Sequence, residues 1–225
     1  VNEGFIERRA QNIDYRSELV RKAIHLTSLS IPVVYYFVTR NFALTVLIPL
    51  TVAFIVVDVA RYYHRPVGDL FYNFFGFLLR RHERDTKTKR LNGATYVLIS
   101  ATLCVLIFPK HFVILGFSIL IISDSVAALV GRRFGRHRFF EKSLEGSAAF
   151  FASALLVVAL TPKHFDLPVE FLFGAVAALV ATVAEAASVN IDDNLTIPVS
   201  VAVTLWILYA VFLPQFDVFQ FKGAL

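Results

Sequence analysis

Between Asp124 and Gly146 the chain gathers acids, glycines, arginines and a lysine in one short run. It reads Asp124-Ser125-Val126-Ala127-Ala128, then Gly131-Arg132-Arg133-Phe134-Gly135-Arg136, then Glu141-Lys142-Ser143-Leu144-Glu145-Gly146. A triphosphate and its magnesium ion need these groups: backbone N–H for phosphate oxygens, cations for their charge, carboxylates for the metal. Gly131 and Gly135 are expected to bring backbone close to phosphate. Arg132, Arg133, Arg136 and Arg138 would add charge, with Lys142 as a point charge. Arginines alone would suit anchoring to anionic lipid, but Glu141 and Glu145 have no use there and do have one beside a metal. The run is not a Walker loop, because the glycine–lysine–Ser/Thr spacing is missing, and no strand follows as in a soluble kinase glycine loop.

Further polar residues stand inside apolar stretches. An ionisable group within a membrane span costs ~2.5–3.5 kcal/mol on insertion scales, so each one needs a reason. His25, Asp58, Asp124 and Glu185 all fall within about two helical turns, roughly 10 Å, of what is read below as the inner ends of their spans. The outer halves of the spans are read as uncharged. Clustering at one depth predicts a single polar cavity open to one side, and it counts against an ion path running right across the membrane. Glu185 has small neighbours, Ala184, Ala186 and Ala187, that leave room around it. Asp192-Asp193-Asn194 suits either a solvated turn and helix cap or acids placed opposite the basic loop. Asn92 opens a span, where a helix N-terminus can receive an anion or be capped in the ordinary way. Asp58 and Arg61 have the spacing of a helical ion pair. His25, behind Arg21 and Lys22, suits a phosphate contact, a base or a packing role. The other histidines, His64, His82, His111, His137 and His164, show no metal spacing and are expected at the surface.

The elements that must carry these groups are apolar helices. The chain has 225 residues, 57% of them hydrophobic, and stretches of about 17–25 apolar residues can cross a bilayer. Seven candidates run over residues 19–38, 42–60, 94–108, 112–130, 146–160, 169–187 and 196–213. The expected fold is therefore all-α, a polytopic membrane bundle of about seven transmembrane helices with interfacial helices. Residues 1–18 are expected to form an interfacial helix, 19–213 the integral membrane catalytic domain and 214–225 a short tail. Within the loop 62–91, Phe71, Phe74, Phe75, Leu78 and Leu79 recur at helical spacing ahead of Arg80 and Arg81, which predicts a helix lying along the membrane surface. Small residues (Ala148, Ala152, Gly174, Ala178, Thr182) are expected to let helices approach closely. Cys104 is the single cysteine, so no disulfide or cysteine-based metal site exists in the chain, and a buried apolar role is expected.

Net charge is +5, and its placement orients the bundle. Of the 22 basic residues, only Arg40, Lys110, Lys163 and Lys222 fall outside the segments assigned to one side. The positive-inside rule then places the N-terminus and the polar cavity in the cytoplasm and the C-terminus outside. Basic residues that flank spans point to membrane lipid and away from nucleic acid.

The pattern Asp-x-x-Ala…Gly-Arg-x-Phe-Gly-Arg…Lys-Ser-x-Glu-Gly, residues 124–146, resembles two related membrane families: the phosphatidate cytidylyltransferases and the CTP-dependent lipid kinases of the dolichol, phytol and diacylglycerol type. Arg21-Lys22-x-x-His25, Asn92-Gly93-Ala94-Thr95, and Glu185 followed by Asp192-Asp193-Asn194-Leu195-Thr196-Ile197-Pro198 look like the kinase branch. The His-Gly-Gly…Asp-Arg-x-Asp segment of the cytidylyltransferases is not found. The resemblance implies transfer of the terminal phosphate of CTP to a lipid alcohol, with Mg2+ as cofactor. It makes Asp124, Lys142, Glu185 and Asp193 the catalytic candidates. Gly131, Arg132, Gly135, Arg136, Ser143, Glu145, Gly146 and Asn194 would bind the nucleotide. Asp124, Glu145, Glu185 and Asp193 would serve the metal, with His25, Asp58 and Asn92 completing the cavity. The alternatives are a cytidylyltransferase making CDP-diacylglycerol and a non-enzymatic transporter or lipid-binding protein.

Overall fold

The computed structural model describes residues 19–20, 22–75, 91–188 and 192–220. The expected interfacial helix over 1–18 lies outside them, as do Leu78, Leu79, Arg80 and Arg81. The architecture is an all-α membrane bundle. A helical segment at residues 22–27 leads to α1 (Ser30–Phe37), α2 (Arg40–Tyr63), α3 (Arg65–Phe75), α4 (Gly93–Ile107) and α5 (Lys110–Phe134). A hairpin of β1 (Arg138–Phe139) and β2 (Lys142–Ser143) follows, then α6 (Leu144–Leu160), α7 (Val169–Ala187) and α8 (Asp193–Phe212). Helices α2, α5, α7 and α8 are long and apolar enough to cross a membrane, whereas α4 and α6 are shorter. At 15 residues α4 rises about 22 Å.

The first expected span is not continuous. Backbone bonds from Ser28 to His25, Leu29 to Leu26 and Ile31 to Ser28, at 2.9–3.0 Å, tighten the chain into a turn before α1 begins. Pro32 supplies the cause. It has no N–H to give to Ser28, and its ring crowds that carbonyl, so the helix breaks one turn earlier.

Helix α5 is the centre of the bundle. Phe112, Phe117, Ile119, Leu120 and Ile121 are fully buried, and α5 packs on α1, α6 and α8. Helix α8 also joins α7 and α4, while α2 attaches through α4 and shows much of its apolar surface outward. Lipid is as apolar as leucine, so close approach and polar contacts must hold these helices together. Thr51 donates to Leu98 O at 3.2 Å and meets Thr102 Oγ1 at 2.7 Å, joining α2 to α4. Gly116 lets α5 lie against Pro198 of α8, where an added Cβ would come within 3.1 Å of the proline carbonyl. Gly174 does the same for Val158 of α6. Cys104 on α4 is 0% exposed. Within the loop where a surface helix is expected, α3 is helical over its described part, with Phe71 beneath the Arg61 guanidinium at 4.6 Å.

The end of the bundle opposite the basic loop is not uncharged. Glu170, in the first turn of α7, is 3% exposed. It accepts from the backbone N–H of His164 and Leu167 at 3.0 Å and of Phe165 at 3.1 Å, and from the Tyr209 hydroxyl. A buried carboxylate is tolerable when donors converge on it. Here they fasten the 161–168 loop to α8. His111 and His164, expected at the surface, are buried beside it with their rings stacked 5.6 Å apart.

Candidate functional site

The basic loop is shaped by its own short contacts. Arg138 pairs with Ser143 and Phe139 with Lys142, so Phe140 and Glu141 form the turn, with Phe140 at φ 50°. Glu141 N–H donates to Ala186 O at 3.3 Å, pinning the hairpin to the end of α7. Ser143 caps α6 by accepting from Gly146 N–H at 3.1 Å.

With the hairpin so held, Lys142 reaches across to two helices. Its Nζ stands 2.9 Å from Asp193 Oδ2 on α8 and 3.0 Å from Glu185 Oε1 on α7. A second ion pair lies alongside: Lys22, from the helical segment at 22–27, holds Asp124 Oδ2 on α5, with His25 Nε2 3.8 Å from the same oxygen. Asp124 and Lys142 are close enough for their charges to act on each other. Three carboxylates, two ammonium groups and a histidine from five elements thus meet at one end of the bundle. Burial pulls the Lys142 pKa down, and Asp193 and Glu185 more than reverse this, so the ammonium is held above the ordinary lysine value. Among the described residues, Glu185 Oε2 is buried with no hydrogen-bond partner.

Asp124, Lys142, Glu185, Asp193 and His25 therefore come together as the sequence suggests. Lys22 joins them, although the sequence marks it only as one basic residue in a motif. Its spacing to His25, three residues along one helical face, is the signal that links the two. Other candidates take different places. Glu145 accepts from the N–H of Arg136 at 3.0 Å and of His137 at 3.3 Å, and pairs with the His137 ring at 2.8 Å. It closes the loop and stands apart from the acids. The four expected carboxylates accordingly form no ready-made ion site, and no group of three or more His, Cys, Asp or Glu suited to a metal occurs among the described residues.

The loop glycines are occupied by protein. A Cβ on Gly146 would come within 3.2 Å of Ala127 O and 3.3 Å of Gly131 Cα, and one on Gly135 within 2.2 Å of Gly131 O. They bring α5, the loop and α6 into contact. Arg132 and Arg136 are exposed on the same surface. Asp58 is 0% exposed; it pairs with Arg61 at 2.9 Å and accepts from Asn92 N–H at 2.6 Å. Asn92 in turn caps α4 through Thr95 N–H at 2.9 Å. Asp192 caps α8, binding the Asn194 N–H at 3.0 Å and its amide group at 2.6 Å, and the Asn194 side chain lies beside Gly93.

No family model matches this chain, and no solved structure matches it. Curated relatives do. The chain is 33% identical over 189 residues to RP860 of Rickettsia prowazekii, described as an uncharacterised protein, covering 83% of this chain and 92% of that one. It is 37% identical over 89 residues to the dolichol kinase sec59 of Schizosaccharomyces pombe, covering 38% of this chain and 17% of the kinase. It is 32% identical over 106 residues to the phytol kinase of a Synechocystis species, covering 42% and 43%. The chain thus spans less than half of either kinase but nearly the whole of RP860. It belongs to the family of RP860, and part of its length is similar to proteins named as kinases of dolichol and of phytol.

Proposed function

We propose that this protein is a membrane lipid kinase that transfers the terminal phosphate of CTP to a lipid alcohol, with Mg2+ as cofactor. The observation that carries the reading is Lys142, fixed between Glu185 and Asp193 at one end of an apolar bundle, beside Asp124. Phosphoryl transfer asks mainly for positioning and for charge placed where charge develops. A half-buried ammonium on a pinned hairpin can meet a phosphate oxygen and offset the negative charge that grows as the bond to the leaving diphosphate breaks.

As they stand, the acids are held by lysines and, among the described residues, do not form a group arranged for a metal; a magnesium ion would have to draw on Asp124, Glu185 and Asp193 in place of those pairs. Asp124, Glu185 and Asp193 outnumber their two lysines, and the unpartnered Glu185 Oε2 is a ready oxygen donor. When bound, the ion would neutralise phosphate charge. Asp124 or Asp193 would orient the lipid hydroxyl, whose oxygen attacks the terminal phosphorus as CDP leaves. Choice of CTP, and of phytol, another isoprenol, a polyprenol or diacylglycerol as acceptor, rests on the family resemblance. The exposed apolar surface of the bundle suits an acceptor dissolved in the bilayer, and the basic residues at the loop end support a cytoplasmic site.

The test incubates purified protein in detergent with Mg2+, γ-labelled CTP or ATP, a panel of lipid alcohols and phosphatidate. Label passing from CTP to one alcohol is the expected result and names the acceptor. Label released as pyrophosphate with phosphatidate alone would overturn the proposal in favour of a cytidylyltransferase.

A further inference from the structure

We infer that Asp58 is a positioning residue for the transfer reaction: from α2 it fixes the first turn of α4, against which the start of α8 rests, and so sets Asp193 opposite Lys142. The inference rests on the kinase reading and adds to it a residue outside the site.

Asp58 and Arg61 are both buried, and their ion pair spans 2.9 Å. A buried ion pair adds little stability over apolar residues of the same size, so stability alone is a poor account of it. Its geometry gives a better one. The second Asp58 oxygen accepts the N–H of Asn92 at 2.6 Å, and Asn92 Oδ1 accepts that of Thr95 at 2.9 Å. This is the two-way exchange of a helix capping box, except that the carboxylate comes from another helix. The first turn of α4 is thus placed by α2. Arg61 is itself held, its guanidinium 4.7 Å from the ring centre of Tyr62 and 4.6 Å from that of Phe71 on α3, so the carboxylate has little room to turn. On its far side α4 packs on α8. Gly93 faces the Asn194 amide there, and a Cβ on it would lie 3.7 Å from Nδ2. Asn194 is bound in turn to Asp192 through its N–H at 3.0 Å and its amide at 2.6 Å, which ties the chain on either side of Asp193. Asp193 Oδ2 stands 2.9 Å from Lys142 Nζ. A shift of about 1 Å at a reacting centre can cost on the order of a hundredfold in rate, so the start of α8 must be held closely.

The experiment measures kcat and KM for transfer of label from CTP, together with the melting temperature, on the full chain in detergent. Asp58→Leu with Arg61→Met removes both charges and the oxygen that the Asn92 N–H needs. This double variant should melt no lower than the wild type. It should nevertheless lose about tenfold in kcat with KM unchanged, the mark of groups misplaced at the transition state alone. Asp58→Asn with Arg61→Gln also removes both charges, but it keeps an oxygen for Asn92 and gives the new amide a partner, so kcat should return. Gly93→Leu does not depend on either pair folding: Asp58 is untouched, the added side chain presses on Asn194, and kcat should again fall with KM unchanged. A pair that only fastens α2 would lower the melting temperature and leave the kcat of folded protein alone, and that result overturns the inference. Equal losses in the two double variants also overturn it, because the contact to Asn92 would then not matter. So does an unchanged kcat in Gly93→Leu. Each of these results, with an active wild type, leaves the kinase reading standing; a wild type that labels no alcohol overturns both.

Discussion

Lys142 owes its place to three local facts: a two-residue turn at Phe140-Glu141, a hydrogen bond from Glu141 to the end of α7, and two acids within 3.0 Å. Replacing it with alanine should lower kcat/KM by roughly 10²–10³, the scale for removing one preorganised donor from a reacting centre. Arginine should recover only part, because a planar fork does not replace a compact ammonium. The same acids set its pH behaviour. Its folded-state pKa lies above the ordinary lysine value, so its contribution to stability is complete below about pH 10.4 and is lost only as pH rises through the higher folded value. Thermal unfolding followed from pH 6 to pH 9 should show no inflection that disappears in Lys142→Ala. At this scale the sequence was informative for Asp124, Glu185 and Asp193, because an acid in an apolar run is expensive and stands out. For Glu145 and the loop glycines it did not reveal their surroundings. Residue type shows that an acid can bind a metal, but not that neighbouring N–H groups already occupy it, nor that a glycine's empty side faces another helix.

Among the elements, periodicity and length fixed the helices well, and the departures have local causes. The first span breaks at Ser28–Leu29 because Pro32 disrupts the preceding turn, a signal plainly present in the sequence. Glu170 could also have been read. It falls one residue inside α7, where a carboxylate can gather the N–H groups of the preceding loop. Close approach of helices was anticipated at Gly174, and its partner Val158 was not, since contacts between helices leave no trace in one sequence. A Cβ at Gly174 would lie 2.4 Å from Val158 Cγ1. Gly174→Ala should therefore destabilise the protein by about 1–3 kcal/mol. Adding Val158→Ala should recover part of that loss, and a double-mutant cycle on unfolding in detergent would measure the coupling. Two independent, additive losses would show that the helices do not meet there.

Across the whole molecule, charge is divided between two ends with different tasks. One end gathers lysines and carboxylates from five elements into a single site. The other closes on Glu170, His111, His164 and Tyr209, a knot whose carboxylate is already fully supplied with donors. Basic residues at the first end predict that it faces the cytoplasm. Arg133 and Asp166 are exposed at the two ends, and a thiol introduced at each would report its side to a reagent that cannot cross membranes. Asp166→Cys should react in intact cells and Arg133→Cys only after permeabilisation; the reverse order would invert the topology.

That measurement is unusually clean because of Cys104. The chain's single sulfhydryl is sealed within α4, and there is no methionine. Its sulfur chemistry is therefore silent towards external reagents. Any maleimide, spin label or fluorophore that attaches to a variant with one added cysteine reports the position chosen by the experimenter, with Cys104 left in place.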